Sequence, residues 1–123
     1  MKTIHTDQAP AAIGPYSQAM VSGGLVFTSG QIPADPASGE IVGANVTAQA
    51  EQAMQNLGAV LAAAGSGFER VVKATCFLSS MEDFAAFNAV YGKYMTGKPA
   101  RSCVAVKTLP KNVLCEVEAV AEV

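Results

Sequence analysis

Residues 113–122, Val-Leu-Cys-Glu-Val-Glu-Ala-Val-Ala-Glu, alternate in character along their whole length. On a strand, successive side chains point to opposite faces of the sheet. One face then carries Val113, Cys115, Val117, Ala119 and Ala121, which are all apolar and belong under helices. The other carries Leu114, Glu116, Glu118, Val120 and Glu122. Two neighbouring carboxylates flanked by Leu and Val leave two readings open. This face is a solvated sheet surface, or it is a partly buried pocket or subunit interface that uses an acid.

Working outward from this strand, residues 101–108 (RSCVAVKT) form another, joined to it by a short Leu-Pro-Lys-Asn turn. Arg101 opens that strand after Pro99-Ala100, which limits local backbone freedom. It shares a face with Cys103 and Ala105. A strand-edge arginine is either a surface residue with a packed stem or a functional cation. Adjacent antiparallel strands could set Arg101 and Glu116 on one sheet face, at a distance decided by a register that the sequence alone does not fix.

Upstream, Phe84, Phe87, Tyr91 and Met95 recur at helical spacing, so residues 81–95 form a helix. Ser80 is its candidate cap, with Asp83 three residues on, and Gly97 and Pro99 end it. Residues 70–79 (RVVKATCFLS) are β-branched and apolar, as a strand requires. Val46, Ala50, Ala53, Leu57, Val60 and Ala64 define a longer helix over 46–64, with Asn45 as N-cap and Gly65 as its stop. Pro33, Pro36, Gly39 and Gly43 make 33–45 a loop. Residues 16–21 and 25–31 flank Gly23-Gly24 as a hairpin, and 2–5 form a short first strand. The order β-(β-β)-α-β-α-β-β predicts an α+β sandwich with both helices on one sheet face. The other face must meet water or another subunit.

The chain has 123 residues, enough for a single domain over 1–123 with its own core. Hydrophobic residues make up 50% and charged residues only 15%, which excludes intrinsic disorder. No apolar run approaches the ~18 residues of a membrane span. A surplus of apolar surface without such a span predicts self-association. Eight basic and ten acidic residues give a net charge of −2, with no basic patch, which disfavours phosphate-mediated binding of nucleic acid. Cys76, Cys103 and Cys115 are scattered, with no C-x-x-C and no Cys/His cluster, so no zinc site is expected. The odd cysteine count and the opening Met1-Lys2-Thr3-Ile4-His5, which is no export segment, set the expectation of a reducing cytoplasm.

Five segments in order carry a resemblance. They are Gly14-Pro15-Tyr16-Ser17-Gln18-Ala19, Thr28-Ser29-Gly30-Gln31-Ile32-Pro33, Phe87-Asn88, Pro99-Ala100-Arg101-Ser102-Cys103-Val104 and Glu116-Val117-Glu118-Ala119-Val120-Ala121. With them the chain resembles the RidA/YjgF/UK114 family of reactive-intermediate deaminases, and the resemblance covers nearly all of the chain. Because Arg101 fills the family's arginine position, the resemblance is to the enzymatically active RidA branch. It implies a chorismate-mutase-like fold and a homotrimer, with a central barrel of sheets, helices outside and ligand clefts between subunits. It implies hydrolysis of 2-iminobutanoate, 2-iminopropanoate and related imines, formed from enamines such as 2-aminoacrylate, to 2-oxo acids and ammonia. Neither cofactor nor metal is implied, and the partners are small imino and 2-oxo acids rather than nucleic acid or membrane.

The resemblance assigns Arg101 and Glu116 as catalytic. Arg101 grips the substrate carboxylate with two parallel hydrogen bonds, which a lysine cannot reproduce. Glu116 orients the attacking water and shuttles protons. Tyr16, Ser29, Gly30, Asn88 and Cys103 are assigned to substrate binding. Without the resemblance four of them have a plainer reading: Tyr16 an interface aromatic, Ser29 a turn hydroxyl, Asn88 a surface amide, Cys103 a buried thiol. His5 has no role in the implied mechanism. The sequence departs from many relatives at Cys103, where they carry Thr, and at Ala105, where they carry a larger polar residue. Two rival readings remain, a non-catalytic trimer that binds 2-oxo acids and a ribonuclease or translation inhibitor.

Overall fold

The chain is described over residues 1–123 by a computed structural model. Its strands are β1 (Lys2–Ile4), β2 (Ala19–Ser22), β3 (Leu25–Thr28), β4 (Val71–Leu78), β5 (Ala100–Ala105) and β6 (Cys115–Glu122), with helices α1 (Val46–Ala63) and α2 (Phe84–Tyr94). They form one six-stranded sheet in the order β1-β2-β3-β6-β4-β5. The expected α+β architecture is therefore the observed one.

The helix ends follow the local chemistry. Asn45 Oδ1 accepts the Ala48 N–H at 2.9 Å, which satisfies a donor that the first turn leaves free. Gly65, at φ +80°, turns the chain out of α1 in a conformation that a Cβ would oppose. Ser80 caps a short 3-10 turn, Met81–Asp83, rather than α2 itself. The second helix therefore starts three residues later than its sequence signal.

The core lies between the helices and one sheet face. Val113, Cys115, Val117, Ala119 and Ala121 are all buried, as the alternation requires. Cys115, Val117, Ala119 and Ala121 pack with Ala74, Cys76 and Leu78 of β4 against Met54, Leu57 and Leu61 of α1 and Phe87, Val90 and Tyr91 of α2. No helix is long and apolar enough to cross a membrane.

One expectation fails. Residues 101–108 and 113–122 are not a hairpin. β5 pairs parallel with β4, and β6 pairs antiparallel with the other edge of β4, so β4 separates them. The rule that consecutive strands usually pair favours the hairpin. The β4–α2–β5 crossover overrides it, because a helix of this length can return the chain parallel to its starting strand.

This correction decides where the two expected catalytic residues lie. Arg101 is level with Ala74, and Ala74 with Ala119, so Arg101 sits on the helix-covered face. Glu116 is level with Phe77, on the opposite, open face. Within one copy of the chain the sheet stands between them.

Candidate functional site

Arg101 lies in a cradle built by α2. Phe84, Asn88 and Tyr91 recur at steps of four and three, so they share one side of the helix. Arg101 Nη1 donates to Asn88 Oδ1 at 2.6 Å. The guanidinium carbon stands 4.7 Å from the Tyr91 ring centroid and 5.6 Å from that of Phe84. No carboxylate of the chain pairs with it; the ion pairs present are His5–Asp7 and Lys93–Glu51. A guanidinium with ordered sides and no counter-ion is prepared for an external anion. Asn88, Tyr91 and Arg101 line an open cleft with Lys98 and Pro99.

Cys103 is half-buried one strand step from Arg101, level with the buried Cys76. Burial pushes the Cys103 thiol up, and the pull of Arg101 in the other direction does not cancel it. Cys76 is pushed up to about 12, chiefly by its burial. These thiols stay protonated near neutrality, so neither is a prepared nucleophile.

Glu116 belongs to a second group on the open face. Between Phe27↔Val120 and Gln31↔Val117 the chain advances four residues while β6 advances three, which is a bulge of one residue. Thr28 fills the gap in the ladder, its Oγ1 accepting the Ala119 N–H at 3.0 Å. The bulge reverses the facing of the residues after it, placing Gln31 on the buried face and Gly30 over Glu116. A Cβ on Gly30 would stand 2.8 Å from Glu116 Cδ, so the carboxylate occupies the space that a side chain would need. Burial pushes the Glu116 carboxyl up from the ordinary carboxylate range, and the Glu118 charge adds to the shift.

Ser29 and Tyr16 complete this side. Ser29 Oγ donates to the Ser17 carbonyl at 2.5 Å, and Ser29 N to the Gln18 carbonyl at 2.9 Å, which ties the Gly30 segment to the stretch carrying Tyr16. Tyr16 is half exposed, and its hydroxyl accepts the Ile13 N–H at 3.4 Å. Tyr16 and Gly30 open onto a cavity of about 470 Å³ walled by Ile13, Ile32, Pro36 and Pro110.

The expected site residues thus form two groups on opposite faces of one sheet. Arg101, Asn88 and Cys103 make one; Tyr16, Ser29, Gly30 and Glu116 make the other. His5 is exposed and pairs with Asp7 at 3.1 Å, away from both groups. No cluster of three His, Cys, Asp or Glu side chains stands where a metal ion would be held. Sequence reasoning missed Phe84 and Tyr91, whose helical spacing reads as ordinary core. It also missed Asn56, a buried amide whose Nδ2 donates to the carbonyls of Ile32 and Ala34, each at 2.9 Å. A polar residue inside the apolar stripe of α1 was its signal.

Known proteins share this fold. The solved structure of the YjgF gene product of E. coli has a TM-score of 0.94 and 47% identity, covering 99% of this chain and 98% of that one. A family model described as Endoribonuclease L-PSP matches residues 6–123. The chain belongs to the L-PSP/YjgF family. A RutC family protein of Synechocystis is 56% identical over 98% of this chain and 95% of its own length. E. coli TdcF, solved with bound serine, is 44% identical at a TM-score of 0.94, covering 100% of this chain and 99% of that one. These L-PSP/YjgF relatives carry names of several kinds, from endoribonuclease to RutC.

Proposed function

We propose that this chain hydrolyses 2-imino acids to 2-oxo acids and ammonia, in clefts that a second copy completes. The observation that carries the reading is Glu116 against Gly30: a half-buried carboxylate, raised toward neutrality, over backbone that leaves room for it. A group of this kind suits a general base, because a raised pKa makes the ionised form a better proton acceptor. Arg101, ordered and without a counter-ion, is the complementary carboxylate clamp.

The chemistry needs little more. The substrate is a protonated imine beside a carboxylate. Arg101 holds that carboxylate through two parallel hydrogen bonds. Glu116 takes a proton from water as the water oxygen bonds to C2 and the C=N electron pair moves onto nitrogen. Glu116 then returns the proton to nitrogen. The carbinol hydroxyl passes its own proton to Glu116 as the C–N bond breaks and the C=O forms. Ammonia leaves with that last proton as ammonium. No bond to the protein forms at any stage.

The opposite-face placement supports a shared cleft. The open face carries Phe27 and Val104, 46% and 45% exposed, beside Val120 and Phe77. An apolar sheet face of this kind is the natural contact between copies, and a homotrimer brings Arg101 of one copy toward Glu116 of the next. The serine bound by E. coli TdcF is itself a small molecule with a carboxylate. A pure 2-oxo-acid-binding module has a use for Arg101 but none for Glu116. A net charge of −2 and two arginines weigh against an RNA-cleaving role.

The test couples a serine or threonine dehydratase to semicarbazide, which traps free imine. The wild-type protein suppresses semicarbazone formation, and Arg101→Ala and Glu116→Gln do not. Suppression that survives both substitutions overturns the assignment. Glu116→Gln keeping 2-oxo-acid binding while losing turnover separates enzyme from binding module.

A further inference from the structure

The side of α2 that meets Arg101 carries two aromatic rings that the deaminase mechanism does not use. Tyr91 is 8% exposed and sits over the guanidinium; Phe84, about two helical turns earlier, meets it at a greater distance. The Tyr91 hydroxyl is buried and has no hydrogen-bond partner. Buried hydroxyls are normally paired, so a tyrosine kept here with its polar end unpaired is present for its ring. The ring face carries negative charge and attracts a cation stacked on it.

We propose that Tyr91, with Phe84, is a positioning residue for the substrate carboxylate, acting through Arg101. The rings fix the plane of the guanidinium, and Asn88 fixes its rotation within that plane. A planar fork binds a carboxylate through two hydrogen bonds only when its plane is set. An arginine at a strand start would otherwise lose rotamer freedom on binding, and the rings remove that loss beforehand. The Tyr91 hydroxyl is pushed up to about 12, chiefly by burial. It therefore stays neutral and brings no anion to compete for Arg101. The inference rests on the deaminase reading and extends it: carboxylate affinity is set by helix α2, while proton transfer is set by the sheet face that holds Glu116.

The two parts are separable by experiment. Binding of 2-oxobutanoate is measured by calorimetry, and kcat and KM are measured on 2-iminobutanoate formed in situ by threonine dehydratase. Tyr91→Phe keeps both constants within about twofold of wild type. Tyr91→Leu raises KM and the 2-oxobutanoate Kd by about tenfold with kcat unchanged, the size expected of a desolvated cation–ring contact. Phe84 is only partly buried, so Phe84→Leu supplies a second variant that folds, with a rise of about threefold in the same two constants. Thermal unfolding checks each variant. If Tyr91→Leu and Phe84→Leu bind 2-oxobutanoate as wild type does, or if they lower kcat and leave KM alone, the positioning role is overturned while the deaminase reading stands. If wild type neither binds 2-oxobutanoate nor consumes the imine, the deaminase reading falls, and this inference with it.

Discussion

Gly30 has no positive φ to explain it; what it supplies is space, since any side chain there meets the Glu116 carboxylate. Gly30→Ala should therefore leave the fold intact, because the obstructing atoms are the mobile end of a side chain, yet move the base from its place. Turnover is expected to fall by about 100-fold or more, the usual worth of a positioned base, with the thermal midpoint nearly unchanged. Glu118 faces the same way two residues on and raises the Glu116 carboxyl. Glu118→Gln should move the acid limb of the kcat/KM profile to lower pH, while the limb of the wild type stands above the ordinary glutamate value near 4.3. The same shift has a cost in stability. A carboxyl raised in the folded chain contributes stability below its unfolded pKa and loses it as pH rises through the folded value. At neutral pH Glu116→Gln should consequently melt higher than wild type while losing turnover. A lower melting point would show that Glu116 is held by a favourable charge contact instead. At this scale the two candidates were legible: Arg101 and Glu116 stand out as a scarce cation and a carboxylate among apolar neighbours. The rings over Arg101 were not, because an aromatic packed in the core and one stacked on a guanidinium have the same helical spacing.

Among the elements, the alternation of residues 113–122 named the buried face of β6 correctly, since period two is imposed by the backbone itself. Two features escaped it. The bulge after Phe27 depends on one extra residue opposite β6, and nothing in Thr28-Ser29-Gly30-Gln31 marks which residue is extra. The place of β5 depends on which edge of β4 it joins, a choice made by the packing of α2. The loop after the bulge is held from behind by Asn56, which is 1% exposed and also accepts from Gln52 Nε2 at 3.0 Å. Asn56→Ala leaves two carbonyls without donors and should destabilise the fold by about 3 kcal/mol, read by denaturant or thermal unfolding. A change below about 0.5 kcal/mol would mean that the loop does not depend on this clamp.

For the whole molecule, the sheet that holds both groups of the proposed site also keeps them apart. The helix face presents Arg101 with Asn88 and Cys103. The open face presents Glu116 with Gly30 and an apolar surface that includes Phe27 and Val104. Excess hydrophobicity in the sequence set the expectation of self-association, but the division of the proposed site between two sheet faces needed the strand order. Light scattering should give three times the chain mass of 12.6 kDa. Val104→Glu, on the open face, should shift the protein toward monomer and lose turnover with it, because burying an unpaired charge at a contact is costly.

The central claim is that Arg101 of one copy and Glu116 of another act on the same substrate, and subunit mixing tests it most directly. Arg101→Ala and Glu116→Gln are each inactive as pure oligomers. Mixed in equal amounts under conditions that allow subunit exchange, they should regain about a quarter of wild-type turnover, since random assembly leaves one cleft in four with both native residues. If exchange is demonstrated and no activity returns, the two residues do not meet across copies, and the shared-cleft account is contradicted.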